Sequence, residues 1–265
     1  MSRGAMMEDL SAEPVIRWRR YILGNAALEE TGAVLRFVTN DTTTQQYSDA
    51  QLDDYGVRPG QRLIRRSPLR LNVRARFSLP SGELRGTAGF GFWNYPFIVS
   101  ERRLPRLPRA IWFFYASPPA NMRLDLHTPG YGWKAATIDT QRPGALALLP
   151  IAPLAVLLMQ VTPLYRGFWS LIQHTIGIRE AIVPATMTEW HTYEIEWGEQ
   201  QSSFRVDGRA VLEHAPSPGG PLSFVMWLDN QYLIVTPQGR LGWGLLEAPG
   251  QQWMEVERCT IDPLI

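Results

Sequence analysis

The chain has 265 residues, 45% of them hydrophobic and 19% charged, a composition that fills a hydrophobic core and excludes a disordered protein. Its formal net charge of +1 provides no global field that would attract nucleic acid, so a nucleic-acid partner is not expected. The single cysteine, Cys259, excludes an internal disulfide. Residues 1–13 contain no apolar segment typical of a secretory signal, which favours a cytoplasmic location.

Short segments with the composition and alternation of β-strands occur along the chain, and turn sequences such as Asp207-Gly208 separate them. In residues 69–79, apolar residues alternate with arginines and an asparagine, which is the period of a strand with one buried face. This pattern predicts an all-β sandwich in which two sheets bury opposed apolar faces. The same alternation is found in residues 33–39, 192–197, 203–206 and 222–228.

One segment departs from this pattern, because residues 146–161 are almost wholly apolar. Their length approaches that of a transmembrane span, but prolines interrupt the segment and disfavour a continuous helix. Residues 167–181 then have a helical apolar face. Its members are Phe168, Leu171, Ile172, Thr175 and Ile176.

The sequence therefore predicts a single domain over residues 1–265, with residues 140–187 as an inserted, partly helical and hydrophobic element packed on the sandwich. Two alternatives remain open for this element. One is contact of residues 144–165 with a membrane surface, and the other is a true membrane span. The oligomeric state is not indicated.

Three blocks of the C-terminal half resemble the laminarinase and lichenase enzymes of glycoside hydrolase family 16. They are EWHTYEIEW at 189–197, FRVDG at 204–208 and PLSFVMW at 221–227, and GTAGFGFW at 86–93 matches an aromatic-rich block of the same enzymes. The resemblance implies a concanavalin A-like jelly roll with a sugar-binding cleft across its concave sheet. A carbohydrate is the ligand that it implies.

The catalytic motif of that family is not present. Its retaining enzymes carry Glu-x-Asp-x-Glu on one strand, and the order of blocks places Arg123-Leu124-Asp125-Leu126-His127 there. A guanidinium cannot attack an anomeric carbon, so retaining hydrolysis is not expected at this strand. If these residues are catalytic, His127 acts as a general acid or base that Asp125 orients, and Arg123 binds a developing negative charge. The alternative is an inert ladder of polar groups.

Aromatic and amide side chains in the blocks around the implied cleft are expected to contact the ligand, because indole rings stack on sugar faces and amides bind hydroxyl groups. The four histidines have no metal-ligand spacing, so no metal and no cofactor are expected. The expected ligand-binding residues are Trp93, Asn94, Trp112, Tyr115, Trp133, Trp227, Asn230, Gln231, Tyr232 and Trp243.

Three functions remain open at this stage. The first is carbohydrate binding in the cleft without retaining glycosidase activity. The second is acid/base chemistry at Asp125 and His127 on an apolar small molecule or lipid, with the hydrophobic insertion as a lid. The third is a glycoside hydrolase whose carboxylate pair lies elsewhere on the cleft.

Overall fold

The computed structural model describes residues 18–55, 63–95 and 107–264. Strands account for most of the regular structure, as the alternating segments predict. In chain order the elements are β1 Arg19–Leu23, β2 Ala26–Thr31, β3 Val34–Thr42, β4 Asp49–Asp53, β5 Leu69–Phe77, β6 Thr87–Trp93, β7 Arg109–Ala116, β8 Gly132–Asp139, α1 Pro143–Leu148, α2 Ala152–Leu158, α3 Thr162–Thr175, β9 Arg179–Ile182, β10 His191–Trp197, β11 Gln201–Val206, β12 Arg209–Pro216, β13 Ser223–Asp229, β14 Gln231–Val235, β15 Leu241–Leu245 and β16 Ala248–Pro263.

Two seven-stranded sheets form the body of the protein. The first has the strand order β1-β4-β13-β6-β7-β8-β9, and the second has the order β12-β11-β10-β5-β16-β3-β2. The chain crosses repeatedly between the two sheets, and the paired strands are antiparallel. The all-β jelly-roll sandwich predicted from the sequence is confirmed. Strands β14 and β15 form a separate hairpin.

The inner faces of the two sheets form one hydrophobic core. The alternation predicted in β5 is confirmed, because its apolar residues are buried there and its polar residues point outward. Aromatic rings from both sheets meet in this layer, with Phe113 lying 5.2 Å from Tyr193 and 5.4 Å from Phe204 between ring centroids. Full burial of such a side chain contributes about 1.5–3 kcal/mol, so the layer holds the sheets together.

Charged side chains on the outer face of the second sheet form ion pairs with one another. Arg70 Nη2 lies 2.6 Å from Glu196 Oε1, and Arg76 Nε lies 2.8 Å from Glu255 Oε2. The Arg76 guanidinium also lies 4.8 Å from the Trp190 ring centroid. This face is a ladder of ion pairs and cation–π contacts, and the candidate site lies on the other sheet.

The inserted element forms the three α-helices between β8 and β9, with a 3-10 helix at Leu149–Ile151 between the first two. A proline lies in the first turn of α2 and of α3, a position where proline favours the start of a new helix. The segment is therefore not one continuous helix. The helix predicted over 167–181 is displaced, because α3 ends at Thr175 and Arg179–Ile182 is a strand. Phe168 and Leu171, predicted on its apolar face, are exposed. Among the described residues, no helix has the length and apolarity needed to cross a bilayer.

Candidate functional site

The outer face of the first sheet carries a cluster of aromatic rings on its three central strands. Strand pairing places Trp112 of β7 beside Gly91 of β6, and Phe114 beside Gly89. The pairing of β6 with β13 then places Trp227 on the other side of Gly89. We call Trp93, Trp112, Phe114 and Trp227 the aromatic cluster.

Glycine on β6 allows these rings to meet. An ideal Cβ at Gly89 would lie 2.3 Å from the Phe113 carbonyl oxygen and 3.0 Å from the Trp227 ring. Because this space is free, the rings of Phe114 and Trp227 lie 5.8 Å apart across β6. Trp112 stacks on Phe114 at 5.2 Å between centroids. The rings therefore form a continuous apolar surface across three strands.

The surface continues toward the end of β6. Trp93 lies 5.6 Å from Trp112 between ring centroids, and its indole Nε1 donates a hydrogen bond to the Tyr55 hydroxyl. Tyr95 lies 4.9 Å from Tyr55. Trp93 and Trp112 are half-buried, whereas Phe114 and Trp227 are each only 7% exposed. A ligand can therefore reach the cluster from the side of the two tryptophans.

Residues 117–131, here called the roof loop, cover the other side of the cluster. Ala120 and Met122 of this loop pack against the cluster. Asn121 ties the loop to β14, since its backbone nitrogen donates to the Leu233 carbonyl at 3.0 Å and its carbonyl accepts from the Val235 nitrogen at 2.9 Å. The roof loop is thus fixed over Phe114 and Trp227.

The side chain of Lys134 on β8 is hydrogen-bonded to the backbone of the roof loop. This ammonium group is 1% exposed and lies 3.1 Å from Glu180 Oε1 of β9, itself buried. It also donates to the carbonyl groups of Met122, at 3.4 Å, and Pro129, at 3.2 Å. Burial raises the pKa of Glu180, and the nearby Lys134 ammonium opposes this shift. The buried charge is therefore a structural anchor of the loop.

The prediction that Arg123–His127 forms a strand is wrong, because these residues belong to the roof loop. The Asp125 carboxylate is buried and accepts from the backbone nitrogen of His127 at 2.8 Å and from the Gln173 amide of α3. It therefore stabilises the loop, and the predicted orientation of the His127 ring by Asp125 is not found. Arg123 and His127 do come together, on the lining of an open cavity of about 530 Å³ that also includes Asn121 and Tyr131.

The helices are attached to the roof loop by their inner side. Trp169 of α3 is buried beside Leu124 and Leu126, and its indole nitrogen donates to the Leu124 carbonyl at 2.8 Å. At the other end, the Gln160 amide donates to the Gln238 carbonyl of the β14–β15 turn at 2.6 Å. The helices, the roof loop and the hairpin thus form one connected cover beside the aromatic cluster.

Four predicted ligand-binding residues are buried and have partners within the protein. Tyr115 and Trp133 point into the core between the sheets, because they alternate with residues of the outer face. The Asn230 amide is fully buried and bonds to the backbone of Ser48, Thr43, Gln46 and Leu246. Asn94 is 3% exposed and bonds to the backbone of Leu107 and Arg109. Tyr115, Trp133 and Asn230 are therefore closed to a ligand in this structure, whereas Asn94 also lines an open cavity with Leu107 and Arg109, and its contact with a ligand stays a prediction.

The remaining three predicted residues lie on the hairpin. Tyr232 packs against the aromatic cluster. Trp243 is 62% exposed, and its indole nitrogen donates to Gln231 Oε1 at 3.1 Å. Gln231 in turn donates to Asp229 Oδ2 at 2.6 Å. Gln231 therefore connects the hairpin to β13, while Tyr232 is the hairpin residue closest to the cluster.

A pair of buried carboxylates lies on the same face and was not predicted as a pair. Asp49 of β4 is directly opposite Asp229 of β13. Burial raises the pKa of Asp229 to about 6, although Thr87 and Tyr47 donate hydrogen bonds to it. Burial and the neighbouring Asp229 charge raise the pKa of Asp49 well above its usual range. Both side chains are at most 2% exposed, so they do not meet a sugar in this structure.

Replacing Asp49 with asparagine is expected to stabilise the protein by about 1–2 kcal/mol near pH 7.5, because it removes an acid whose ionised form is disfavoured by burial and by the neighbouring Asp229. An acid with a raised pKa binds its proton more tightly in the folded protein, so stability is lost as the pH rises through that pKa. For Asp229 this window runs from 3.8 to about 6.

Urea unfolding at several pH values measures this effect. The wild type should gain stability as the pH falls from about 7.5 to about 5, and Asp49→Asn should gain less. The exposed Asp262→Asn variant is the control and should keep the wild-type slope. A variant that is less stable near neutral pH and steeper in its pH dependence would contradict the expected charge repulsion.

Among the described residues, no group of three or more His, Cys, Asp or Glu side chains is arranged to hold a metal ion. The carboxylates on the outer face are instead engaged with neighbouring side chains, as with Glu180 and Lys134.

No protein-family model matches the chain, and no curated protein matches it. Among solved structures, the chain is similar to a glycoside hydrolase family 16 endo-glucanase from Bacteroides ovatus, with 9% identity, a TM-score of 0.48, and coverage of 96% of this chain and 98% of the other. A laminarinase catalytic domain from Thermotoga petrophila is 12% identical, with a TM-score of 0.46 and coverage of 94% and 91%. The carbohydrate recognition domain of Emp47p is 11% identical, with a TM-score of 0.48 and coverage of 94% and 89%. Two of these three are enzymes of the class that the sequence motifs resemble, and the similarity lies in the fold.

Proposed function

We propose that the protein binds carbohydrate on the aromatic outer face of its first sheet and does not hydrolyse it by double displacement. The observation that carries this proposal is the identity of the outward side chains of β7. They are Ala110, Trp112, Phe114 and Ala116, and none can act as a nucleophile or an acid.

The outward side chains of β6 support the same conclusion. Gly89, Gly91 and Trp93 leave no carboxylate on this strand. Retaining hydrolysis needs two carboxyl groups about 5–5.5 Å apart on either side of the scissile bond. Asp49 and Asp229 are neighbours, but their burial disfavours the third hypothesis, a relocated catalytic pair.

The half-buried rings favour a sugar ligand. The faces of Trp93 and Trp112 offer apolar area for the CH groups of a pyranose. Similarity to glucanases and to a carbohydrate recognition domain agrees with this ligand class.

Binding of laminarin and lichenan measured by calorimetry tests the proposal. Trp112→Ala is expected to weaken the affinity about tenfold or more, because a buried stacking ring is a typical energetic centre of an interface. Trp190→Ala is the matched control, since Trp190 lies against Arg74 and Arg76 rather than on the aromatic face. Release of reducing sugar should stay at the background level. Absence of binding at millimolar glucan would overturn the proposal.

A second candidate is an apolar small molecule. It is favoured by the roof loop, because Ala120 and Met122 place apolar groups opposite Phe114 and Trp227. Displacement of a fluorescent hydrophobe distinguishes it from the first. An apolar ligand would displace the probe from the wild type, Trp112→Ala would bind the probe weakly, and glucans would have no effect.

A further inference from the structure

The helices and the hairpin beside the site expose an unusual amount of apolar surface. Leu154 and Leu157 share one side of α2 and are 58% and 66% exposed, and Val161, directly before α3, is 52% exposed. Leu164, Phe168 and Leu171 likewise share one side of α3 and are exposed. Large contiguous apolar surfaces of this kind mark sites of interaction.

These helices are apolar on both sides. Met159 and Trp169 face inward and are buried. The α2 sequence APLAVLL is hydrophobic all round, and such a helix is normally covered on all sides, either by protein or by lipid. The outer side of α2, together with the exposed apolar residues of α3 next to it, is therefore expected to have a partner.

The hairpin extends the same surface. Leu241 and Trp243 alternate along β15 and are 79% and 62% exposed. The turn before them contacts α2, because an ideal Cβ at Gly239 would lie 2.7 Å from a Val156 methyl group. We call the exposed apolar residues of α2, α3 and β15 the apolar patch.

The charged residues in the sequences that form the patch have one sign. No acidic residue occurs between Asp139 and Glu180, although 25 of the 265 residues are acidic. The basic residues in that interval are Arg142, Arg166 and Arg179, and Arg240 is the charged residue of the hairpin sequence 231–246. Arg179 and Arg240 are exposed.

We propose that the apolar patch binds the surface of an anionic lipid bilayer. Leucine and phenylalanine side chains would enter the interfacial region, Trp243 would lie at the level of the headgroups, and the arginines would meet anionic lipids. A second copy of the chain fits the patch less well. A symmetric dimer places the same surface of both copies together, and here it would bring arginines against arginines without carboxylates to pair them.

Flotation of the full chain with vesicles tests the proposal. We expect the protein to float with vesicles of phosphatidylcholine and phosphatidylglycerol and to bind vesicles of phosphatidylcholine alone much less. Leu157→Asp and Leu171→Asp should each weaken binding about tenfold or more, because each places a charge in the apolar contact. Their side chains are exposed, so thermal melting should remain as in the wild type.

Two further variants test whether vesicle binding is specific to the apolar patch and how much the arginines contribute to it. Ile22→Asp alters a 45% exposed side chain on β1, at the opposite edge of the first sheet, and should bind vesicles as the wild type does. The double variant Arg179→Gln and Arg240→Gln should lose about fivefold per arginine on anionic vesicles alone.

The outcomes that would overturn the proposal are distinct. Failure to float with anionic vesicles would do so, as would equal binding to both vesicle types. A concentration-dependent dimer that Leu157→Asp abolishes, without vesicle binding, would assign the patch to a second copy. Glucan binding is measured separately and does not affect this result.

Discussion

Lys134→Met is expected to lower the free energy of unfolding by about 3–5 kcal/mol, because it leaves the buried Glu180 carboxylate without its partner. The change also removes the donor that serves the carbonyl groups of Met122 and Pro129. Hydrogen exchange should therefore show that the roof loop loses protection along with β8 and β9. Urea unfolding measures the loss of stability.

Two variants identify the cause of that loss. Arg20→Met breaks an ion pair in which both side chains are about half exposed, 43% for Arg20 and 54% for Glu30, and should cost less than about 1 kcal/mol. The double variant Lys134→Met and Glu180→Leu removes both buried charges and should recover part of the loss, since an apolar pair often replaces a buried ion pair without cost. If Lys134→Met is as stable as Arg20→Met, the Lys134–Glu180 pair is not buried.

Gly89→Ala is expected to cost about 2–3 kcal/mol and to abolish ligand binding at the aromatic cluster. Its Cβ would lie 2.3 Å from the Phe113 carbonyl oxygen, so β6 and β7 would have to separate. The rings of Phe114 and Trp227 would then lose their contact across β6.

Gly167→Ala is the matched control for this substitution. Gly167 lies in α3, and a Cβ there meets no atom within 4 Å. Alanine should stabilise the helix by about 0.5–1 kcal/mol, because it loses less backbone entropy on folding. Thermal melts and glucan or hydrophobe binding of both variants check the prediction. Normal binding by Gly89→Ala would mean that the aromatic cluster is not the binding surface.

The sandwich could be predicted from the sequence because a half-buried strand has a period of two. The pattern of β5 is the clearest case, with its apolar side in the core and its arginines in ion pairs. The same rule could have assigned the aromatic residues of β7 to the two faces of the strand. Trp112 and Phe114 share one face, while Phe113 and Tyr115 share the other.

The residues Arg123–His127 show why the site was only partly predictable. Their alternation resembles a strand, but it arises because Leu124 and Leu126 pack against α3 while Arg123 and His127 line a cavity. A local pattern does not distinguish these two causes. The pairing of Asp49 with Asp229 depends on the register of strands far apart in sequence, which no local signal contains.

The glycines of β6 have a consequence for the chemistry that this scaffold can acquire. A carboxylate at position 89 or 91 would push its Cβ to within 2.3 Å of a backbone oxygen of β7. New acidic groups next to these two glycines would therefore have to replace Trp112, Phe114 or Trp227 on the flanking strands. Stacking and hydrolysis compete for the same positions, and a variant designed to cleave a glycan here would give up the rings that hold it.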